Sequence, residues 1–165
     1  LIFLHGGAWG SGRPWMYRLC VDQFHQLGYA GVAMVGYRTY PDGNMVDQVE
    51  DVERALAWFL EVHEAHSRGS GGGLEAPRVV LVGHSSGGHL VTQVALRHAC
   101  RRTVQGVRLP EIAGVCTLSA PFDLLRHHSY EAMRGVHVLS PMTAAACDIP
   151  GMGLAKLDQR NRIVP

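Results

Sequence analysis

The sequence predicts an α/β fold, a mainly parallel sheet flanked by helices, and three observations carry that prediction. Short apolar runs alternate with longer segments of helical period, which is the pattern of repeated βαβ units. Each short run is nearly all apolar and bounded by turn residues, as a parallel strand covered on both faces requires. A length of 165 residues at 47% hydrophobic is enough for one domain with a sizeable core.

The strands predicted are Leu1 to Leu4, Ala30 to Val35, Arg78 to Val82 and Ile112 to Leu118. Between the first two, Trp15 to Leu27 reads as one helix. Met45 to His66 reads as a longer one, with Val46, Val49, Val52, Leu56, Phe59 and Leu60 on its inward stripe. A third helix is expected to begin just after Ser85 and run to about Cys100, packing Leu90, Val91, Val94 and Ala95 on the sheet. Arg68-Gly69-Ser70-Gly71-Gly72-Gly73 is expected to be a surface connection, because glycine runs lose much backbone entropy on ordering. It is not a phosphate cradle, since no Lys-Ser or Lys-Thr pair follows at a helix mouth.

From Ala120 to Pro165 the periodicity fades among Pro, Gly and His, so an irregular, lid-like segment is expected within a single domain spanning 1–165. The chain opens inside the run Leu1-Ile2-Phe3-Leu4 without a Met, which reads as a fragment of a longer protein. On that reading Leu1 to Leu4 and Ile112 to Leu118 both lie at unprotected sheet edges, and poor solubility is expected.

Composition narrows the partners. A formal charge of +1 with 18% charged residues provides no basic stripe for nucleic acid. No apolar run approaches the ~20 residues of a membrane span. Cys20, Cys100, Cys116 and Cys147 form no CxxC pair, so a zinc ribbon or thioredoxin-like site is not expected. They read as free, mostly buried thiols, which favours a reducing, cytoplasmic compartment. No cofactor is expected, and nothing in the sequence sets the oligomeric state.

The sharpest motif is Gly83-His84-Ser85-Ser86-Gly87-Gly88, which follows a strand and opens a helix. This is Gly-x-Ser-x-Gly in the strand-turn-helix setting it requires. The sharp turn forces the serine into a strained backbone and leaves no room for Cβ atoms two residues to either side. Ser85 is therefore the candidate nucleophile, at the positive end of a helix. A second motif, His5-Gly6-Gly7-Ala8-Trp9, follows the first strand. Small residues there let the main chain approach the oxygen of a tetrahedral intermediate. Gly6, Gly7 and Ala8 thus form the candidate oxyanion loop, with Gly7, Ala8 and Ser86 supplying N–H donors and His5 orienting the loop.

On these residues the chain resembles the α/β-hydrolase-fold esterases of the hormone-sensitive-lipase-like and kynurenine-formamidase-like kind, from Leu1 to about Leu118. The Trp9 that follows the small residues, together with Tyr37-Arg38-Thr39-Tyr40-Pro41-Asp42-Gly43, is most similar to isoprenylcysteine methylesterases and related formamidases. The resemblance implies a partial α/β-hydrolase fold and cleavage of a small-molecule carboxylic ester through an acyl-enzyme. A formamidase-type amidase would use the same nucleophile, and a catalytically silent chain is the alternative from another class.

The triad is where the chain departs from the family. Acid and base should follow the nucleophile as Asp or Glu, then His, and the resemblance places them after two further strands. Asp123 matches a structural position, and no His follows Asp148 or Asp158. His127, His128 and His137 precede those aspartates. No triad Asp or His is therefore identified. His63 and His66 lack the HExxH spacing of a metal pair and read as a solvated helix face, while His84 and His89 read as packing or hydrogen-bonding partners of the elbow. Trp9, Trp15 and Tyr37 are candidates for a pocket lining or for core packing.

Overall fold

Four parallel strands, β1 (Ile2–Leu4), β2 (Ala33–Val35), β3 (Arg78–His84) and β4 (Glu111–Leu118), form one sheet in the order β2-β1-β3-β4. The structure is a computed structural model and describes residues 1–69, 77–100, 106–137 and 139–147. The chain leaves β1 for β2 on one side and returns on the other for β3, so the strand order reverses between β1 and β3. Parallel sheets open a crevice at the carboxyl ends of the strands flanking such a reversal. The register aligns Leu4 with Gly83, and the segments leaving β1 and β3 emerge side by side there.

The predicted sheet is present, with shifted bounds. β2 begins at Ala33 and not at Ala30, because β1 offers only three residues to pair with. β3 continues through His84, whose partner is Leu118. β1 is interior, flanked by β2 and β3, which corrects the expectation that it lies at an edge. Of the two strands expected at edges β4 alone is one, with β2 at the other edge of the described sheet, and the residues of β4 are largely exposed.

The helices differ more. Trp15 to Leu27 is not one helix: Pro14–Cys20 is a 3-10 segment, followed by α1 (Val21–Gln26). Neither segment has a buried residue, so no packed face enforces one continuous α-helix. α2 (Met45–Gly69) extends past His66 and absorbs Arg68 and Gly69 from the expected loop, the rest of which lies outside the described residues. Its inward stripe contains Val49, Val52, Leu56 and Leu60 but also the polar Gln48 and Glu53. Val46 is exposed, in the first turn, and Phe59 is half-buried. α3 (Ser86–Ala99) buries Leu90, Val91 and Val94 as predicted, while Ala95 is half-buried. Glu53 of α2 pairs with Arg97 of α3 at 2.9 Å, tying the two helices across their contact.

The region after Ala120 is not irregular throughout. It contains α4 (Leu124–Met133) and α5 (Pro141–Cys147). α4 buries none of its residues, so no apolar stripe advertises it. Asp123 caps it by accepting the Arg126 N–H at 2.9 Å. The thiols are less buried than expected: Cys20 is half-buried, and Cys100 and Cys116 are exposed. Among the described residues no helix is long and apolar enough to cross a membrane.

Candidate active site

The turn from β3 into α3 is built by exclusion. Ser85 has φ 52° and ψ −122°, a strained conformation for a residue with a side chain. The flanking glycines make it possible. A Cβ on Gly87 would lie 2.5 Å from the Leu4 carbonyl oxygen, and one on Gly83 would collide with the Gly87 backbone. Ser85 N–H donates to the Leu118 carbonyl at 2.8 Å, which pins the elbow to the end of β4. The serine is half-buried, at the amino end of a 14-residue helix, where negative charge is favoured.

The loop after β1 lies against this turn: a Cβ on Gly6 would be 3.0 Å from Ser85 Cβ and 2.8 Å from His84 Nδ1. Gly7, Ala8 and Trp9 all have positive φ, at 145°, 49° and 61°. In a trans peptide the N–H points opposite to the preceding C=O, so each amide is aimed by whatever holds that carbonyl. The Gly6 carbonyl accepts from His5 Nδ1 at 3.0 Å, which directs Gly7 N–H. The Gly7 carbonyl accepts from Gly10 N, Ser11 N and Ser11 Oγ at 3.1, 3.0 and 2.9 Å, which directs Ala8 N–H. The Ser85 carbonyl accepts from His89 N at 3.2 Å, which directs Ser86 N–H out of the helix. Among the described residues none of these three N–H groups has a partner. Gly6 differs, because its N–H donates to the Tyr17 hydroxyl at 3.1 Å, which leaves Gly7 and Ala8 as the loop's unpartnered candidates.

Below the loop lies a buried polar layer. Because a carbonyl only accepts, His5 carries its proton on Nδ1, and burial pushes its pKa down, favouring the neutral ring. The ring stacks on Tyr37 at 4.4 Å. Tyr37 donates to the His5 carbonyl at 2.8 Å and lies 3.4 Å from Ser86 Oγ. Burial pushes the Tyr37 pKa up to about 12, so it remains a donor. Gln48 donates to the Trp9 carbonyl at 2.8 Å and to Gly43 at 3.3 Å, and Tyr40 N–H shares the Trp9 carbonyl. Arg38 is fixed by its guanidinium and its backbone N–H to Asp51. Burial raises the Asp51 carboxyl, but the Arg38 hydrogen bonds outweigh it and the net shift is downward.

Trp9 and Tyr37 are core residues, whereas Trp15 is 61% exposed with Arg18 over its ring. His84 Nδ1 lies 2.8 Å from the Tyr17 hydroxyl, and His89 Nδ1 donates to the Pro121 carbonyl at 2.9 Å, the hydrogen-bonding roles expected of them. His127 pairs with Glu131 and His128 with Thr143, and neither is bonded to Ser85. Asp148 and Asp158 lie outside the described residues. Among those described, no cluster of three or more His, Cys, Asp or Glu is placed to hold a metal ion. Tyr17 and Gln48 were not singled out by the sequence. Gln48 alone left a trace, as a polar residue in phase with the apolar stripe of α2.

The chain is similar to known proteins. The chain is 35% identical over 97 residues to arylacetamide deacetylase of Bos taurus, covering 58% of this chain and 23% of that protein. It is 31% identical over 141 residues to a probable isoprenylcysteine alpha-carbonyl methylesterase of Oryza sativa subsp. japonica, covering 83% and 32%. The crystal structure of esterase B from Lactobacillus rhamnosis superposes with a TM-score of 0.63 at 23% identity, over 95% of this chain and 47% of that one, a likeness of fold. The chain thus spans about a third or less of the length of these two relatives. Residues 1–154 match the profile described as alpha/beta hydrolase fold, and the chain belongs to that family.

Proposed function

We propose that the protein is a serine hydrolase of carboxylic esters, with Ser85 as nucleophile and Gly7, Ala8 and Ser86 N–H as oxyanion donors. The observation that carries this reading is the strained Ser85, with φ 52°, beside a loop whose unpartnered amides are aimed by their preceding carbonyls. Ser85 Oγ attacks the ester carbonyl carbon and gives its proton to a general base. The carbonyl oxygen becomes an oxyanion held by the three N–H groups. The C–O bond to the alcohol then breaks, and the alcohol leaves with a proton from the same base. Water adds to the acyl-enzyme, restores Ser85 and releases the acid. No described residue is assigned as the base or its orienting acid.

The methylesterase name of the rice relative supports the ester class. The bovine relative's name, arylacetamide deacetylase, favours a second reading in which an amide is the substrate; the nucleophile and donors are the same and only the leaving group changes.

The complete gene product should be treated with a fluorophosphonate, which captures an activated serine with loss of fluoride, and the adduct located by mass spectrometry. Modification of Ser85, lost in Ser85→Ala, is expected. Modification elsewhere overturns the assignment of Ser85, and no modification overturns the reading and leaves a catalytically silent hydrolase fold. Parallel turnover of matched aryl ester and anilide substrates separates the ester from the amide class.

A further inference from the structure

We infer that Tyr17 is a positioning residue of this site, a strut that fixes the loop after β1 to the nucleophile elbow. This rests on the esterase reading above. The Tyr17 hydroxyl accepts the Gly6 N–H at 3.1 Å and lies 2.8 Å from His84 Nδ1. A phenol has one proton and two lone pairs: Gly6 takes one lone pair, which leaves the proton and the second lone pair to meet His84 Nδ1 in either tautomer. The bridge therefore joins the first glycine of the loop to the residue immediately before Ser85.

Two further observations make the bridge stiff. Gly6 and His84 are in close contact, with no room for a Cβ between them. The Tyr17 ring packs against Phe3 of β1 at 5.0 Å and against the His84 ring at 5.7 Å. The other face of the Gly6 amide is equally set, because the His5 carbonyl of the same peptide is held by Tyr37. Tyr17 comes from the 3-10 segment, which has no buried residue. Its hydroxyl is thus a contact between a surface segment and the floor of the site. Small errors in the spacing of a nucleophile and its oxyanion donors are amplified in rate.

The test uses the complete gene product and two readouts, ester turnover and amide hydrogen exchange at Gly6. Tyr17→Phe is expected to lower kcat about tenfold, with KM within about twofold, and to speed Gly6 exchange. His84→Leu should do the same, and His84→Asn, which keeps a polar atom near the Nδ1 position, should restore most of the rate. The double variant Tyr17→Phe with His84→Leu should be no slower than either single one, as partners in one interaction are non-additive. Unchanged kcat in Tyr17→Phe, or additive losses in the double variant, overturns the inference. Unchanged Gly6 exchange overturns the strut whatever the turnover. A wild-type protein that resists fluorophosphonate while Gly6 exchange still rises in Tyr17→Phe overturns the esterase reading and leaves the strut standing.

Discussion

The elbow after β3 and the loop after β1 lie side by side and both need glycine, yet they differ in how much side-chain attachment holds them. The elbow is shaped by exclusion: at Gly83 and Gly87 a Cβ would meet backbone, and backbone has nowhere to move. The loop has tight glycines of its own at Gly6 and Gly7 but is held in addition by attachment, through side chains of His5, Ser11, Tyr17, Tyr37 and Gln48 that bond its N–H and carbonyl groups. A steric constraint fails all at once, whereas a set of pins fails one pin at a time. Substitutions in the two regions should therefore differ in kind as well as in size.

The largest effect is expected at the elbow. Gly87→Ala should lower stability by about 3 kcal/mol or more, since the new methyl faces the main chain of β1. Denaturant unfolding measures this, and a loss below about 1 kcal/mol would erase the contrast. Gln48→Ala comes next: it removes the side-chain donor of the buried Gly43 carbonyl and one of two donors to the Trp9 carbonyl, and should cost about 2 kcal/mol, read in the same experiment.

The third prediction concerns pH. Burial lowers the pKa of His5 and of His89 below the ordinary value of 6.5. Below that value the unfolded chain binds protons that the native state does not, so stability present at neutral pH is lost as pH falls toward the folded pKa values. Melting temperature should drop as pH falls below about 6.5, with a shallower slope in His89→Asn. The smallest effect is expected for Ser11→Ala. It removes one of three donors to the Gly7 carbonyl and should lower kcat two- to threefold without a change in stability, about what one exposed neutral hydrogen bond contributes.

The same contrast explains what the sequence disclosed. Steric requirements leave a local mark, since only glycine fits, and the elbow and the small residues of the loop were legible at Gly83, Gly87, Gly6 and Gly7. Strand runs were legible because both faces of a parallel strand are apolar. Attachments join residues far apart in sequence, and no spacing rule connects Tyr17 to Gly6 and His84, or Gln48 to Trp9. Segments without buried residues were misread for a related reason: no packed face marked where the 3-10 segment Pro14–Cys20 gives way to α1, and α4 has no buried stripe to reveal it. The order that places β1 inside the sheet depends on pairing with Ala33–Val35 and Leu81–Gly83, which is again a distant contact.

Ala8 and Trp9 are consecutive left-handed residues in a chain of L-amino acids. Each such residue costs about 1–2 kcal/mol, and burial of the Trp9 side chain offsets part of that. The segment is in effect a short piece of mirror-image backbone. Its natural occupant would be a D-residue, and D-alanine placed at position 8 by chemical ligation would adopt this shape without steric penalty. Chirality, more than side-chain identity, is what the chain works against to hold this loop.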